Sequence, residues 1–122
     1  DISRKSIVAK IDIRKGDVVL VLTGWDKKYR NGTYFDHWPI MTTAFAQALV
    51  DKKISLIGMD TAGPDMDESF PAHKTFLPNN VFIIENMTNL EKLKEYENFI
   101  IHAYPVKYDA DAAPVRVVAE VK

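Results

Sequence analysis

An imidazole and a carboxylate flank a chain reversal in the run Phe70-Pro71-Ala72-His73-Lys74-Thr75-Phe76-Leu77-Pro78-Asn79-Asn80-Val81-Phe82-Ile83-Ile84-Glu85-Asn86-Met87. His73 and Glu85 lie twelve positions apart, and the Pro78-Asn79-Asn80 breaker between them predicts a turn that brings the two side chains together. Imidazole nitrogen and carboxylate oxygen suit a divalent metal, zinc or manganese, but two ligands fall short of the three or four a catalytic metal takes from protein. Each residue also has an ordinary structural reading. A lone histidine more often serves as a hydrogen-bonded structural residue than as a ligand. Glu85 closes the apolar run Val81-Phe82-Ile83-Ile84, where a carboxylate needs a cation, a cap or a positive partner to offset desolvation. The turn Asn86 to Asn89 could supply that through backbone amides.

Asp60 and Asp65 bracket the loop Asp60-Thr61-Ala62-Gly63-Pro64-Asp65. Either could orient a ligating imidazole or a water from outside the ligand set, the two could form an acid/base pair, or both could simply cap turns. Trp25, Phe35 and Phe70, with Tyr34 and Trp38, supply aromatic surface fit for a flat substrate ring, and equally fit for a core. His37, before Trp38-Pro39, is expected to pack in an irregular loop, and His102 to lie half-buried in a strand.

The elements that must place these residues follow from the apolar pattern. Val18-Val19-Leu20-Val21-Leu22, bounded by Arg14-Lys15-Gly16-Asp17 and Thr23-Gly24-Trp25, predicts a strand buried on both faces. A further short apolar stretch covers residues 7 to 11. From Asp26 to Pro39 no period is clean, and long irregular segments of this kind often carry function. Thr42 or Thr43 caps a helix with Phe45, Ala48, Leu49 and the stem of Lys52 on its apolar side, ending near Asp51-Lys52-Lys53. Ile54 to Met59 is the next strand, so a strand, helix and strand succeed one another as in an α/β unit. The loop from Asp60 to Asp65 then falls at a strand's carboxyl end, where such sheets place binding groups. A short helical or extended segment at 72 to 77, a strand at 81 to 85, and strands Phe99 to Val106 and Val115 to Val121 complete the reading.

With 122 residues, 47% of them hydrophobic and 27% charged, the chain has the size of a single globular domain, 1–122. Sixteen basic against seventeen acidic residues leave a net charge of -1. No basic stripe argues for nucleic acid; the short clusters Arg4-Lys5 and Lys27-Lys28-Tyr29-Arg30 read as solvated surface. The absence of cysteine removes disulfides, thiolate nucleophiles and zinc knuckles, leaving His, Asp and Glu as metal ligands. No window approaches the roughly 20 apolar residues of a membrane span and no basic-then-apolar leader opens the sequence, so a soluble, cytoplasmic protein is expected. The opening at Asp1 is expected of a segment from within a longer chain.

Several stretches occur together in one order: Lys15-Gly16-Asp17-Val18-Val19-Leu20 running to Thr23-Gly24-Trp25; Tyr34-Phe35 ahead of His37-Trp38-Pro39; Ile57-Gly58-Met59-Asp60-Thr61; Phe70-Pro71-Ala72-His73-Lys74; and Ile83-Ile84-Glu85-Asn86-Met87-Thr88-Asn89-Leu90. This series, from about residue 10 to Ala113-Pro114-Val115-Arg116, resembles the carboxyl-terminal part of the cyclase family of metal-dependent hydrolases, which includes kynurenine formamidase and isatin hydrolase. The resemblance implies an α/β fold with a mixed β-sheet and flanking helices, in a swivelling β/α/β-type domain that is incomplete in this chain. It implies hydrolysis of an amide, formamide or lactam C–N bond by a metal-activated water, an aromatic amide or lactam substrate, and a homodimer or homotetramer. It also implies His73 and Glu85 as metal ligands. The family's His-x-Gly-Thr-His-x-Asp-x-Pro-type motif is absent, so the remaining ligands are expected from an upstream segment or a neighbouring chain, and the segment by itself is expected to be inactive. The competing expectation is a non-catalytic binding or structural module of the same fold.

Overall fold

The computed structural model describes residue 2 and residues 12–107 and 109–121. The apolar stretch at 7–11 and the Arg4-Lys5 cluster lie outside the described residues. The chain divides into two compact units, Asp1–Leu90 and Glu91–Lys122.

The first unit is built on three short parallel strands, β1 (Val18–Val21), β2 (Leu56–Met59) and β3 (Phe82–Ile84), in the order β1-β2-β3. Helix α1 (Thr43–Asp51) connects the first two and α2 (Pro71–Phe76) the last two. The register pairs Val18 with Leu56, Val21 with Met59, and Leu56 with Phe82. Two parallel crossovers of the usual hand, stepping across the sheet in one direction, carry both helices to one face, and α1 and α2 pack on each other there. Burial on both faces holds for the central β2, where Ile57, Gly58 and Met59 are buried, but not for β1. Val18 is 40% exposed because β1 lies at the sheet's edge.

Helix α1 starts where Thr42, in an extended conformation, accepts a hydrogen bond from the Phe45 amide at 3.2 Å through its hydroxyl. Its buried stripe is Phe45, Ala46 and Leu49; Ala48 is only half-buried and Lys52 is exposed. These side chains join Val21, Met41, Ile54, Ile57, Met59, Ala72, Phe76 and Val81 in one core. Truncating a buried phenylalanine such as Phe76 to alanine typically costs about 3–5 kcal/mol. Pro71 stands at the start of α2, where a missing N–H is tolerated. After α2 a 3-10 turn, Leu77–Asn79, ends at Asn80 in the left-handed conformation, φ 57°, and the chain reverses into β3. Gly58 permits close approach across the sheet: a Cβ there would lie 2.6 Å from Met87 Sδ and 2.7 Å from Leu20 Cδ2.

The second unit is a hairpin of antiparallel strands β4 (Phe99–Pro105) and β5 (Val115–Val121), paired from Phe99↔Val121 to Pro105↔Val115. The α/β class with both parallel and antiparallel pairing is thus realised as two separate sheets. On the hairpin's polar side, His102 Nε2 lies 3.1 Å from Glu120 Oε2. None of the helices among the described residues is long and apolar enough to cross a membrane.

Candidate functional site

All three parallel strands deliver polar residues at their carboxyl ends: Thr23 and Gly24 after β1, Asp60 to Asp65 after β2, and Glu85 and Asn86 after β3. A parallel sheet leaves its binding crevice at this edge. The pairing pattern persists just beyond β2 and β3, with Asn86 N donating to Thr61 O at 2.8 Å and Met87 N to Met59 O at 2.9 Å. Glu85 is therefore held on a fixed backbone beside the loop that follows β2.

Asp65, His73 and Glu85 form a line. Asp65 is 6% exposed and places its carboxylate at the head of α2. Oδ1 accepts from Ala72 N at 2.9 Å and Oδ2 from His73 N at 2.9 Å, so the aspartate caps the helix from outside it. The same Oδ2 lies 2.8 Å from His73 Nδ1. A ring nitrogen against an oxygen already accepting a backbone proton is the donor, which assigns the proton to Nδ1 from the network. Nε2 is left with its lone pair, 3.2 Å from Glu85 Oε1.

Two acceptors facing each other at this distance repel unless a proton or a cation lies between them. Burial pushes the Glu85 carboxyl above its ordinary range; the charge of His73 and a hydrogen bond to it pull it back, and the negative charge of Asp65 adds to the rise. The separation also fits a shared metal ion. With ligand bonds of about 2.1 Å, neighbouring ligands stand roughly 3.0 Å apart in an octahedron and roughly 3.4 Å apart in a tetrahedron. An aspartate on the far ring nitrogen is the usual orienting partner of a metal-binding histidine. The donor set therefore fits one edge of a divalent-cation site. Among the described residues no group of three or more His, Cys, Asp or Glu side chains converges to hold a metal alone.

The remaining residues singled out in the sequence divide. Phe70, at φ 50°, lies edge-on to the His73 ring with centroids 5.6 Å apart. Asp60 does not join the His73 line. Fully buried, it accepts from Thr23 N at 3.0 Å, Thr23 Oγ1 at 2.7 Å and Gly24 N at 2.6 Å, and so ties the exit of β1 to that of β2. With Asp60 bound to Thr23 and Gly24 and Asp65 bound to α2 and His73, the two are engaged separately rather than as an acid/base pair. Trp25 donates from Nε1 to Tyr34 O at 3.0 Å and carries Lys28 Nζ 3.7 Å over its ring. Phe35 is 68% exposed, edge-on to Tyr34 at 4.9 Å. The contacts of Trp25 and Phe35 are thus with the segment after β1. His37 is exposed rather than packed, because the adjoining Trp38 takes the inward position, donating to Gly63 O at 2.9 Å.

Three features carry no local signal. Tyr34, in the irregular segment, is buried and donates its hydroxyl to Asn86 Oδ1 at 2.8 Å. Burial first, then the charge of Asp60, with Tyr29, Asp26 and Glu85 behind it, raises the pKa of that hydroxyl and keeps it a donor. Asn86 adopts a left-handed conformation, φ 55°. Gly63 lies directly against Glu85, since a Cβ there would stand 2.9 Å from Oε1.

A family model described as "Putative cyclase" matches residues 1–66, more than half of the chain. The chain belongs to the cyclase family. It is 32% identical over 106 residues to an uncharacterized protein of Methanocaldococcus jannaschii, the match covering 84% of this chain and 53% of that one. To the isatin hydrolase of Roseibium aggregatum it is 30% identical over 122 residues, covering 88% of this chain and 46% of the relative. Among solved structures it is similar to a potential metal-dependent hydrolase with cyclase activity, with a TM-score of 0.72, 31% identity, and 95% of this chain and 56% of that one covered. A predicted metal-dependent hydrolase from Bacillus stearothermophilus gives a TM-score of 0.68 at 31% identity, covering 90% and 52%. The chain thus spans about half the length of the cyclase-family relatives it matches.

Proposed function

We propose that this chain forms part of a metal-dependent hydrolase that cleaves the C–N bond of an amide, formamide or lactam, with His73 and Glu85 contributing ligands to a divalent cation, zinc or manganese. The observation that carries the reading is the His73 Nε2 lone pair facing Glu85 Oε1 at 3.2 Å while Asp65 holds Nδ1 at 2.8 Å. Family membership supports it, as do the names of relatives: an isatin hydrolase, a potential metal-dependent hydrolase and a predicted metal-dependent hydrolase. When bound, a divalent cation polarises the carbonyl under attack and brings the pKa of water toward neutrality.

The chain's own residues supply position and electrostatics. Asp65, anchored by two backbone amides of α2, stops the imidazole from rotating and selects its tautomer. Glu85 supplies a half-buried negative charge whose desolvation an opposing cation offsets. Two ligands do not complete a catalytic site, so the remaining ones come from polypeptide beyond these 122 residues, in an upstream segment or a neighbouring chain. The same reading makes the substrate a small aromatic amide or lactam, and the assembly a cytoplasmic homodimer or homotetramer.

The test uses the protein as its source produces it. Elemental analysis after dialysis should find zinc or manganese, and chelation should abolish hydrolysis of an N-formyl arylamine or a fused lactam, restored by added metal. His73→Ala should abolish metal-dependent turnover with little loss of fold. A lowered melting temperature with metal content unchanged in that variant would instead assign His73 a purely structural role in a non-catalytic module.

A further inference from the structure

A cavity of about 420 Å³, lined by Asp26, Tyr29, Tyr34, Asn86, Met87 and Thr88, opens at the same carboxyl edge of the parallel sheet. Its walls come from the segment after β1 and the segment after β3, and Asn86 directly follows Glu85. The size falls within the roughly 300–1,000 Å³ of small-ligand sites.

Its chemistry is that of a ring seat with one acceptor and one donor. Tyr29, 60% exposed, is steadied edge-on by the buried Tyr34, with ring centroids 5.4 Å apart at 89°. Met87, nearly buried over Gly58, brings a thioether, which packs well against an aromatic edge. Asp26 uses Oδ2 for Thr88 Oγ1 at 3.1 Å and Asn89 N at 3.4 Å, and among the described residues Oδ1 is left to accept from a ligand. Tyr34 fills Asn86 Oδ1, so the side-chain amide N–H groups of Asn86 are what that residue offers. Asn86 lines the cavity and directly follows Glu85, so cavity and candidate cation site are neighbours.

We propose that this cavity seats the aryl-amide portion of the substrate: the ring against Tyr29 and Met87, an N–H donated to Asp26, and a carbonyl accepting from Asn86. The inference rests on the hydrolase reading for the word substrate, but the binding itself requires no metal. It places substrate recognition on the segments after β1 and β3, in addition to the surface expected of Trp25, Phe35 and Phe70.

The experiment titrates acetanilide, N-methylacetanilide and N-cyclohexylacetamide into the metal-free chain with 13C-methyl methionine. The chain has four methionines, and Met87→Leu assigns the relevant signal. Acetanilide should move the Met87 methyl resonance saturably. N-methylacetanilide, lacking the N–H, should bind about tenfold more weakly, as expected for a lost hydrogen bond to a charged acceptor. N-cyclohexylacetamide should leave that signal near its free position, having no ring current. Asp26→Asn should erase most of the difference between acetanilide and its N-methyl form, and the surface variant Tyr29→Ala should weaken acetanilide without unfolding the chain. An unmoved Met87 signal, or equal affinity for acetanilide and N-methylacetanilide, overturns the proposal. Calorimetric titration of the protein as its source produces it, stripped of metal, with Mn²⁺ separates the two readings: binding of Mn²⁺ without acetanilide sinks the subsite alone, and binding of acetanilide without Mn²⁺ sinks the metal reading alone.

Discussion

Glu85 is the residue at which the account is most exposed to pH. Its folded-state pKa is raised above the ordinary 4.5, mainly by burial. A carboxyl with a raised pKa favours the folded state while protonated and loses that contribution as pH climbs from its unfolded value through its folded one. Without metal, the melting temperature of the wild type relative to Glu85→Gln should therefore fall as pH rises from about 4.5 through the raised range. Cation affinity should rise over the same interval, because proton and metal compete for the carboxylate. A difference between wild type and variant that is flat with pH would remove Glu85 from the half-buried position described. Gly63 gives a second test. A methyl at this position displaces only the mobile end of Glu85, 2.9 Å away, so Gly63→Ala should leave the denaturation midpoint nearly unchanged while weakening cation binding by about tenfold or more. The shorter Asp at 85 in a Gly63→Ala, Glu85→Asp double variant should recover part of the loss. Unchanged affinity in Gly63→Ala would show that Glu85 is not the ligand. His73 and Glu85 are legible as a pair from the breaker between them. Gly63 is not, because Gly-Pro in a polar loop reads as a turn whether or not a carboxylate rests on it.

At the scale of elements, Asp60 binds the ends of β1 and β2 together through Thr23 and Gly24. Asp60→Ala should leave two half-buried amides and a hydroxyl without their buried acceptor and cost about 1–3 kcal/mol. Amide exchange at Thr23 and Gly24 should quicken first, which two-dimensional NMR in D2O would detect; unchanged protection there would contradict the role. Strand and helix positions are readable from the sequence with ends shifted by only a residue or two, since each has a local cause: Thr42 caps α1, Pro71 opens α2, and β-branched runs form β1 and β2. The role of Asp60 has no local cause. Its partners lie 36 and 37 positions away, so only the parallel register of β1 and β2 brings them within reach. The same holds for Tyr34 and Asn86, 52 positions apart. Burial of β1 fails for a related reason, since edge or centre is a property of strand order and not of composition.

For the molecule as a whole, the two units differ in what supports them. In β4 and β5 the paired register gathers Phe99, Ile101, Ala103, Pro105, Val115, Val117, Ala119 and Val121 on one side, yet none of these is buried. A two-stranded sheet without a covered apolar face is marginal by itself, whereas β1 to β3 rest on a core. Amides of 99–105 and 115–121 should therefore exchange faster than those of Leu56–Met59 in hydrogen-exchange mass spectrometry; equal protection would mean that the hairpin face is covered in solution. The hairpin is plain in the sequence as two apolar runs around a polar link, but its pairing as a sheet of its own rather than as part of the parallel one is not. The family's expected site is likewise visible only in part, since the chain spans about half the length of the relatives it matches. The central claim is that His73 Nε2 and Glu85 together face a divalent cation, and the most direct measurement is the 15N spectrum of the three histidines during titration with Zn²⁺. The account predicts that Nδ1 of His73 stays protonated, that its Nε2 resonance moves with added metal, and that Glu85→Gln weakens this response. A His73 Nε2 signal that stays still while Zn²⁺ saturates His37 or His102, or that responds equally in Glu85→Gln, would contradict it.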